Sequence, residues 1–411
     1  MTNRMSRGEF IALIAMMFAT IAFSIDSMLP ALPEIGAQLS PDDVNRAQLI
    51  LTSFVLGMGI GTFFTGPISD AIGRKPVIYG GAGLYILAAG LAWTSSSLEM
   101  VLAARVLQGL GAAGPRVVAM AIIRDLYSGR EMARIVSIAM MIFTLVPAIA
   151  PMLGAGMIAV AGWRGIFISF ILFALVIILW MTARLPESLA PENRRPFRPP
   201  LLISAVKEMF AHPTVRLSIM VQTLCMGMLF TMLTMVQPVY DIIYDRADSF
   251  PFWFAVVAII SGSASLLNAA IVVRLGMRRI VTYAFGAQIL ITSAVIALSL
   301  IGLSSAGSFA LFVFWQTTIF FMAGVTIGNL NAIAMEPMGH IAGMAASVIG
   351  SIATVLAVVI AAPIGLLFDG SITPLTFGTL TMCVIAFGLM IHMGRVENRH
   401  PADLSSAAET R

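Results

Sequence analysis

Apolar runs long enough to cross a bilayer recur about twelve times along the chain, near Ala19, Gly57, Leu84, Gly111, Pro147, Leu172, Met228, Ile260, Leu290, Phe320, Val355 and Phe387. Each crossing needs roughly 17–25 residues of helix. In hydrocarbon every backbone N–H and C=O must be satisfied within the protein, which leaves helices or closed barrels. Runs of this length are helical, and only 11% of the 411 residues are charged against 59% hydrophobic. A mean hydropathy of +0.96 excludes a soluble globular fold. The expected fold class is an all-α polytopic membrane protein with twelve transmembrane helices.

Six runs precede the polar stretch Leu185–Val215 and six follow it. The reading is therefore two pseudo-symmetric six-helix bundles, residues 1–184 and 216–394. A cytoplasmic linker, 185–215, joins them, and a cytoplasmic tail covers 395–411. The linker contains ESLAPENRRPFRPP, whose prolines and charges cannot span, then Leu201–Ala211, a candidate interfacial helix. Tail residues Arg399–Arg411 are expected to be disordered. Lys and Arg set the orientation. One face collects Arg4, Arg7, Arg74, Lys75, Arg124, Arg130, Arg134, the linker arginines, Arg274, Arg278, Arg279 and Arg395, while the other holds Arg46, Arg164 and Arg246. Both termini are thus expected in the cytoplasm, with the chain multi-pass in a bacterial inner membrane. The first run has no A-x-A-like cleavage site and reads as a retained span. Cys225 and Cys383 lie in apolar runs and suggest neither a disulfide framework nor a metal site.

Within the first run, FSIDSMLPALP (Phe23–Pro33) holds Asp26, the one acidic residue well inside an apolar segment. A carboxylate there costs at least about 2.5–3.5 kcal/mol on insertion scales. It is retained where it binds a proton, an ion or a substrate, or pairs with a buried cation. Burial favours the protonated form of a carboxyl and a nearby cation the ionised form, so a balanced group can load on one face and unload on the other. Arg105, at similar depth in the fourth run, is the candidate cation. Two other readings stay open: a static Asp26–Arg105 ion pair that packs two helices, and an Asp26 that faces an outer vestibule. Arg116 lies eleven residues after Arg105, nearly the same helical direction and about 16 Å away, which suggests one cavity wall. Its alternative is a backbone carbonyl freed at Pro115.

Two halves suggest internal repeats. GPISDAIGRKPV (Gly66–Val77) follows the second run and VRLGMRRI (Val273–Ile280) the eighth; both place a glycine just before basic residues, and the second lacks the aspartate. In the first copy, Gly66 permits close helix approach, Asp70 ends the span and Gly73 permits a tight turn. Arg74 and Lys75 then anchor at headgroups, or Asp70 and Arg74 form a charge lock released on a conformational change.

GxxxDxxGRKP in this loop resembles the signature of the major facilitator superfamily. Arg105, Gln108 and Gly109 resemble that family's R-x-x-Q-G pattern. VPAIAPMLGAG (Val146–Gly156) resembles the antiporter motif of drug/proton exchangers through Pro151 and Gly154, with Ala150 and Ala155 where glycines are usual. IDSMLPALP, IIRDLY (Ile122–Tyr127) and EPMGHIAGMAAS (Glu336–Ser347) resemble the Bcr/CflA group of drug exporters. The resemblance implies the major facilitator fold, with two halves rocking about a central cavity. It also implies efflux of small amphipathic compounds in exchange for protons. Asp26 and Arg105 would handle the proton; Asp26, Arg105, Arg116 and Gln237 would line the cavity. Pro147, Pro151 and Gly154 would form an antiporter-type helix that seals it. The proton gradient is the energy source, with no cofactor, and the chain is expected to be a monomer.

Gln222, Gln237, Asn268, Asn329 and Asn331 are the amides of the second half, and interhelical glue is their commoner role. Gln237 precedes Pro238, at an expected helix break, and is the candidate gate among them. His212, His340, His392 and His400 lie near span ends or outside spans, so no nucleophile–base pair or metal cluster sits at membrane depth and an intramembrane enzyme is disfavoured. Basic residues are scattered over loops, which speaks against nucleic-acid binding. The remaining alternative is a proton-coupled importer or a narrow-substrate exporter of a metabolite.

Overall fold

In the computed structural model, residues 5–399 are described, and they are helical almost throughout. Residues 400–411, most of the expected tail, lie outside the described part, as do residues 1–4. In chain order the helices are α1 (Arg7–Asp26), α2 (Leu32–Leu39), α3 (Leu49–Ile72), α4 (Arg74–Thr94), α5 (Leu98–Leu126), α6 (Gly129–Ala161) and α7 (Arg164–Arg184). They continue with α8 (Pro199–Ala211), α9 (Pro213–Pro238), α10 (Phe250–Leu275), α11 (Met277–Ile301), α12 (Ser305–Met335), α13 (Ala342–Leu366) and α14 (Thr373–Arg399). All but the short α2 and α8 are long and apolar enough to cross a membrane. α12 and α13 join through the 3-10 turn Glu336–Ile341 into one 62-residue apolar segment, one of eleven among the described residues; counted as the two helices it contains, it makes twelve crossings. α14 runs through Arg399, so residues 395–399 continue the last span.

The chain divides into two compact units. One comprises the residues up to Phe197 with Asp245–Ile259; the other comprises Arg198–Tyr244 and the residues from Ile260 onward. The boundary at 197/198 falls inside the segment expected to join the halves. In the second unit, α8 buries Leu202, Ala205 and Met209, packing beside α9 and α13, and Glu208 accepts a 2.7 Å bond from His340.

In the first unit α5 is the central helix, packed along α3 on one side and α4 on the other. Small residues permit this closeness. A side chain at Gly57 would land on the backbone of Val106, and one at Gly109 on the backbone of Phe54 and Met58. On the other face Gly81 and Gly111 meet backbone to backbone. Without a hydrophobic force between lipid-exposed helices, such close approach is what holds them together. Phe10, Leu13, Met17, Ile78, Val118 and Ile122 fill the core between α1, α4 and α5. The second unit centres on α9, against α12, α13 and α14, with Cys225, Met228, Phe285, Met322 and Met382 in its core.

If backbone approach holds α3 to α5, Gly57→Val forces the pair apart and destabilises the protein by about 1–3 kcal/mol. Gly90→Ala, where an added Cβ meets nothing within 4 Å, leaves stability unchanged or slightly raised. Thermal unfolding in detergent separates the two; equal melting of both variants contradicts the packing argument.

Candidate functional site

Asp26 is the last residue of α1. The chain then changes winding: Ser27 donates to Phe23, Met28 to Ile25, and a 3-10 turn follows at Leu29–Ala31 with Pro30 inside it. Pro30 supplies no N–H and so removes one bond from the α-helical ladder at the point where the winding tightens. α6 closes on the same turn, since a Cβ on Gly154 would fall on the Ser27 carbonyl. Phe23 packs edge-on against Phe170 and beside Phe173 of α7. Asp26 is 5% exposed. Among the described residues its carboxylate has no hydrogen-bond or ion-pair partner.

Arg105 is buried and held on several sides. It is 0% exposed, yet its Nε donates to the Ile50 carbonyl at 3.2 Å, Nη1 to Gln108 Oε1 at 2.7 Å and Nη2 to the Ser24 carbonyl at 2.9 Å. The Phe54 ring lies 4.4 Å from the guanidinium carbon. Each partner has a local cause. Gln108 is one helical turn away on α5. Ile50 and Phe54 are in reach because Gly57 and Gly109 bring α3 to α5. Ser24 offers one of the four carbonyls that a helix C-terminus leaves unpaired, at the negative end of the dipole. The Ser24 hydroxyl donates to Thr20 O at 2.6 Å, so the 2.7 Å contact with Tyr85 has the phenol as donor.

The expected juxtaposition of Asp26 and Arg105 is not found: their depths match, but their directions do not. Arg105 takes the Ser24 side of α1, and Asp26, two residues on, is turned about 200° from Ser24. The static ion pair is therefore absent. Arg116 shares the helical direction of Arg105 but is exposed, with no polar partner among the described residues; the carbonyl alternative at Pro115 is likewise unmade. Gln237 is buried, directly before Pro238 and a π-helical turn at Val239–Ile243, so the chain changes winding there without a break. The other amides bind across helices: Asn329 donates to Asn268 Oδ1 at 2.7 Å and Gln222 to Asn331 at 3.3 Å. Pro147 and Pro151 both sit within an uninterrupted α6, with Pro151 and Gly154 buried.

The loop between α3 and α4 is a worked charge cluster. Gly73 turns at φ +108°, a conformation open to glycine, and drops Arg74 to 3% exposure. Arg74 grips Asp70 at 2.5 Å and Asp125 at 2.8 Å, and its Nη1 also donates to Ser69 Oγ at 2.8 Å. Ser69 in turn donates to the Gly66 carbonyl. Glu187 accepts the backbone N–H groups of Arg74 and Lys75 at 3.0 and 2.9 Å, capping the positive end of α4. Lys75 reaches back to the Leu185 carbonyl at 2.7 Å. Burial works to raise the Glu187 pKa, but the N–H donors of Leu189, Lys75, Arg74 and Ser188 outweigh it and hold the carboxyl below its ordinary value. The second unit repeats the device with other acids: after Gly276, at φ +81°, Arg278 binds Glu397 at 2.6 Å and Glu336 at 2.8 Å. Asp125, Glu187, Glu336, Glu397, Ser24 and Tyr85 were not legible as partners. Asp125 and Glu336 stand inside the quoted IIRDLY and EPMGHIAGMAAS stretches, the only sequence signal that could have flagged them.

Residues 12–362 match the family described as Major Facilitator Superfamily. The chain is 28% identical over 393 residues to a bicyclomycin resistance protein homolog of Haemophilus influenzae, covering 94% of this chain and 96% of that one. It is 37% identical over 166 residues to a chloramphenicol resistance protein of Pseudomonas aeruginosa, covering 40% and 39%. Among solved structures, a D-xylose-proton symporter aligns at a TM-score of 0.71 over 93% of this chain and 97% of that one, at 15% identity, a likeness of fold.

Because Glu187 ionises more readily in the folded protein, the cap is present above the usual carboxylate range and is lost as pH falls through the lowered folded value. Amide exchange at Arg74 and Lys75 should be slow at neutral pH and, corrected for intrinsic rate, accelerate in acid. Glu187→Gln should exchange faster at neutral pH and show no such acid step; a variant indistinguishable from wild type removes the capping role.

Proposed function

The chain belongs to the major facilitator superfamily, and from that premise we propose that it exports small amphipathic compounds in exchange for protons, with Asp26 as the proton-binding group. It is a multi-pass membrane transporter and not an enzyme. The observation that carries the proton assignment is the buried Asp26 carboxylate without a partner. An unpaired buried ion costs several kcal/mol, and binding a proton removes that cost. Alternating exposure of this group to the two sides of the membrane lets it load outside and unload inside. Arg105, held by α1, α3 and Gln108, acts on this site through position and field. Arg116, exposed and unpartnered among the described residues, is the cation available to an anionic, zwitterionic or neutral substrate. The resistance functions named for the relatives support the efflux direction. Basic residues at the ends of α3, α5, α10 and α14 support cytoplasmic termini in a bacterial inner membrane. Cycles of this kind need to hold and release one end of the helices, a task suited to the Arg74 and Arg278 clusters.

Everted membrane vesicles loaded with a proton gradient test this with radiolabelled chloramphenicol as probe. Wild type should accumulate the compound only while the gradient stands. Asp26→Asn should bind it but lose gradient-driven accumulation at least tenfold. Undiminished accumulation by Asp26→Asn places coupling elsewhere, and no accumulation by wild type points to a narrow-substrate transporter.

A further inference from the structure

Tyr85 and Ser24 take no part in the mechanism so far, yet they join at the turn that carries Asp26. Ser24 is held twice. Its carbonyl accepts from Arg105 at 2.9 Å and its hydroxyl accepts from Tyr85 at 2.7 Å. Both partners are buried: Tyr85 is 1% exposed and Arg105 0%. α4 and α5 thus seize one residue of α1 from the same side, two positions before the carboxylate.

Such a grip fixes rotation. In α-helical winding Ser24 and Asp26 are separated by about 160° the short way round. Tightening the final turn to three residues per turn narrows this to about 120°. The tighter winding already exists next door, at Leu29–Ala31, and Met28 already donates to Ile25 three residues back. The turn is therefore at the boundary between two hydrogen-bonding registers. The Ser27 hydroxyl bonds back to the Phe23 carbonyl within it, and the side-chain bonds that reach it from other helices are those at Ser24.

We propose that Tyr85 is a positioning residue for proton coupling: through Ser24 it holds the last turn of α1 in the register that keeps Asp26 away from Arg105. This deepens the proton-exchange reading and rests on it. Releasing the Tyr85–Ser24 bond frees the turn to rewind, swinging the carboxylate about 40° toward the guanidinium and further into its field. The other ionisable groups around this turn are committed or distant. From α4 comes Tyr85 itself; from α5 come Arg105 and, about three turns further along, Arg116. α6 presents Gly154, with its charges Arg130, Glu131 and Arg134 at the far end. α7 presents Phe170 and Phe173, and its Arg164 is held by the Ser95 carbonyl at 3.0 Å and the Trp163 ring at 4.1 Å. Glu34 follows on α2.

The test titrates the protonated-carboxyl band by difference infrared spectroscopy on purified protein, using the band that Asp26→Asn removes. Tyr85→Phe keeps the ring and its packing and deletes the donated bond; Ser24→Ala deletes the acceptor and leaves the phenol. Both should move the midpoint of that band by about one pH unit or more toward acid, since a cation at hand favours the ionised form. They should move the pH profile of chloramphenicol accumulation in the same sense, with binding retained. A midpoint equal to wild type in either folded variant overturns the positioning role, as does a loss of accumulation uniform in pH. Failure of Asp26→Asn to abolish transport bears on the coupling assignment alone, because the band is read without substrate.

Discussion

A charge inside an apolar helical bundle has to be compensated by the protein itself, because neither water nor a mobile counter-ion is at hand. The first unit treats its three inward charges differently. Arg105 is solvated by carbonyl and amide oxygens drawn from α1, α3 and its own helix. Arg74, at the edge, is held by two carboxylates. Asp26 is given nothing among the described residues. Each arginine is thus anchored by bonded partners, and the carboxylate has none among the described residues.

These supports depend on packing before they depend on electrostatics. Arg105 reaches the Ile50 carbonyl and the Phe54 ring because Gly57 and Gly109 let α3 and α5 touch backbone to backbone. It reaches Ser24 because α1 stops its α-helical winding at Asp26 and leaves carbonyls unpaired. Glycines at one depth thereby place a cation at another. A side chain added at Gly109 would disturb charge compensation without touching a charged group.

The two clusters at the α3–α4 and α10–α11 turns share a pattern and differ in their parts. Each has a left-handed glycine and a following arginine. The acid on the following helix exit is Asp125 in one and Glu336 in the other. The first adds Asp70 from its own helix, and the second adds Glu397 from α14. The missing aspartate in VRLGMRRI therefore does not leave Arg278 without carboxylate partners. In the first unit Glu187 has another task, capping α4 through backbone N–H groups, which binds the exit of α7 to the same corner.

The sequence by itself determined the fold: length and apolarity of the runs demand helices, their number gives twelve crossings, and Gly73, Arg74 and Asp70 mark a tight charged turn by local chemistry. It also singled out Asp26, because a lone acid in an apolar run is visible without coordinates. Its partners were not visible. Spacing along one helix gives depth and direction relative to that helix, so Asp26 and Arg105 matched in depth, but which side of α1 meets α5 is set by tertiary packing. Only the folded structure placed Ser24 on that side and turned Asp26 away. The same limit hid Asp125, Glu187, Glu336 and Glu397, since an acid at a helix end is ordinary in sequence and becomes a partner only when a distant arginine is brought beside it.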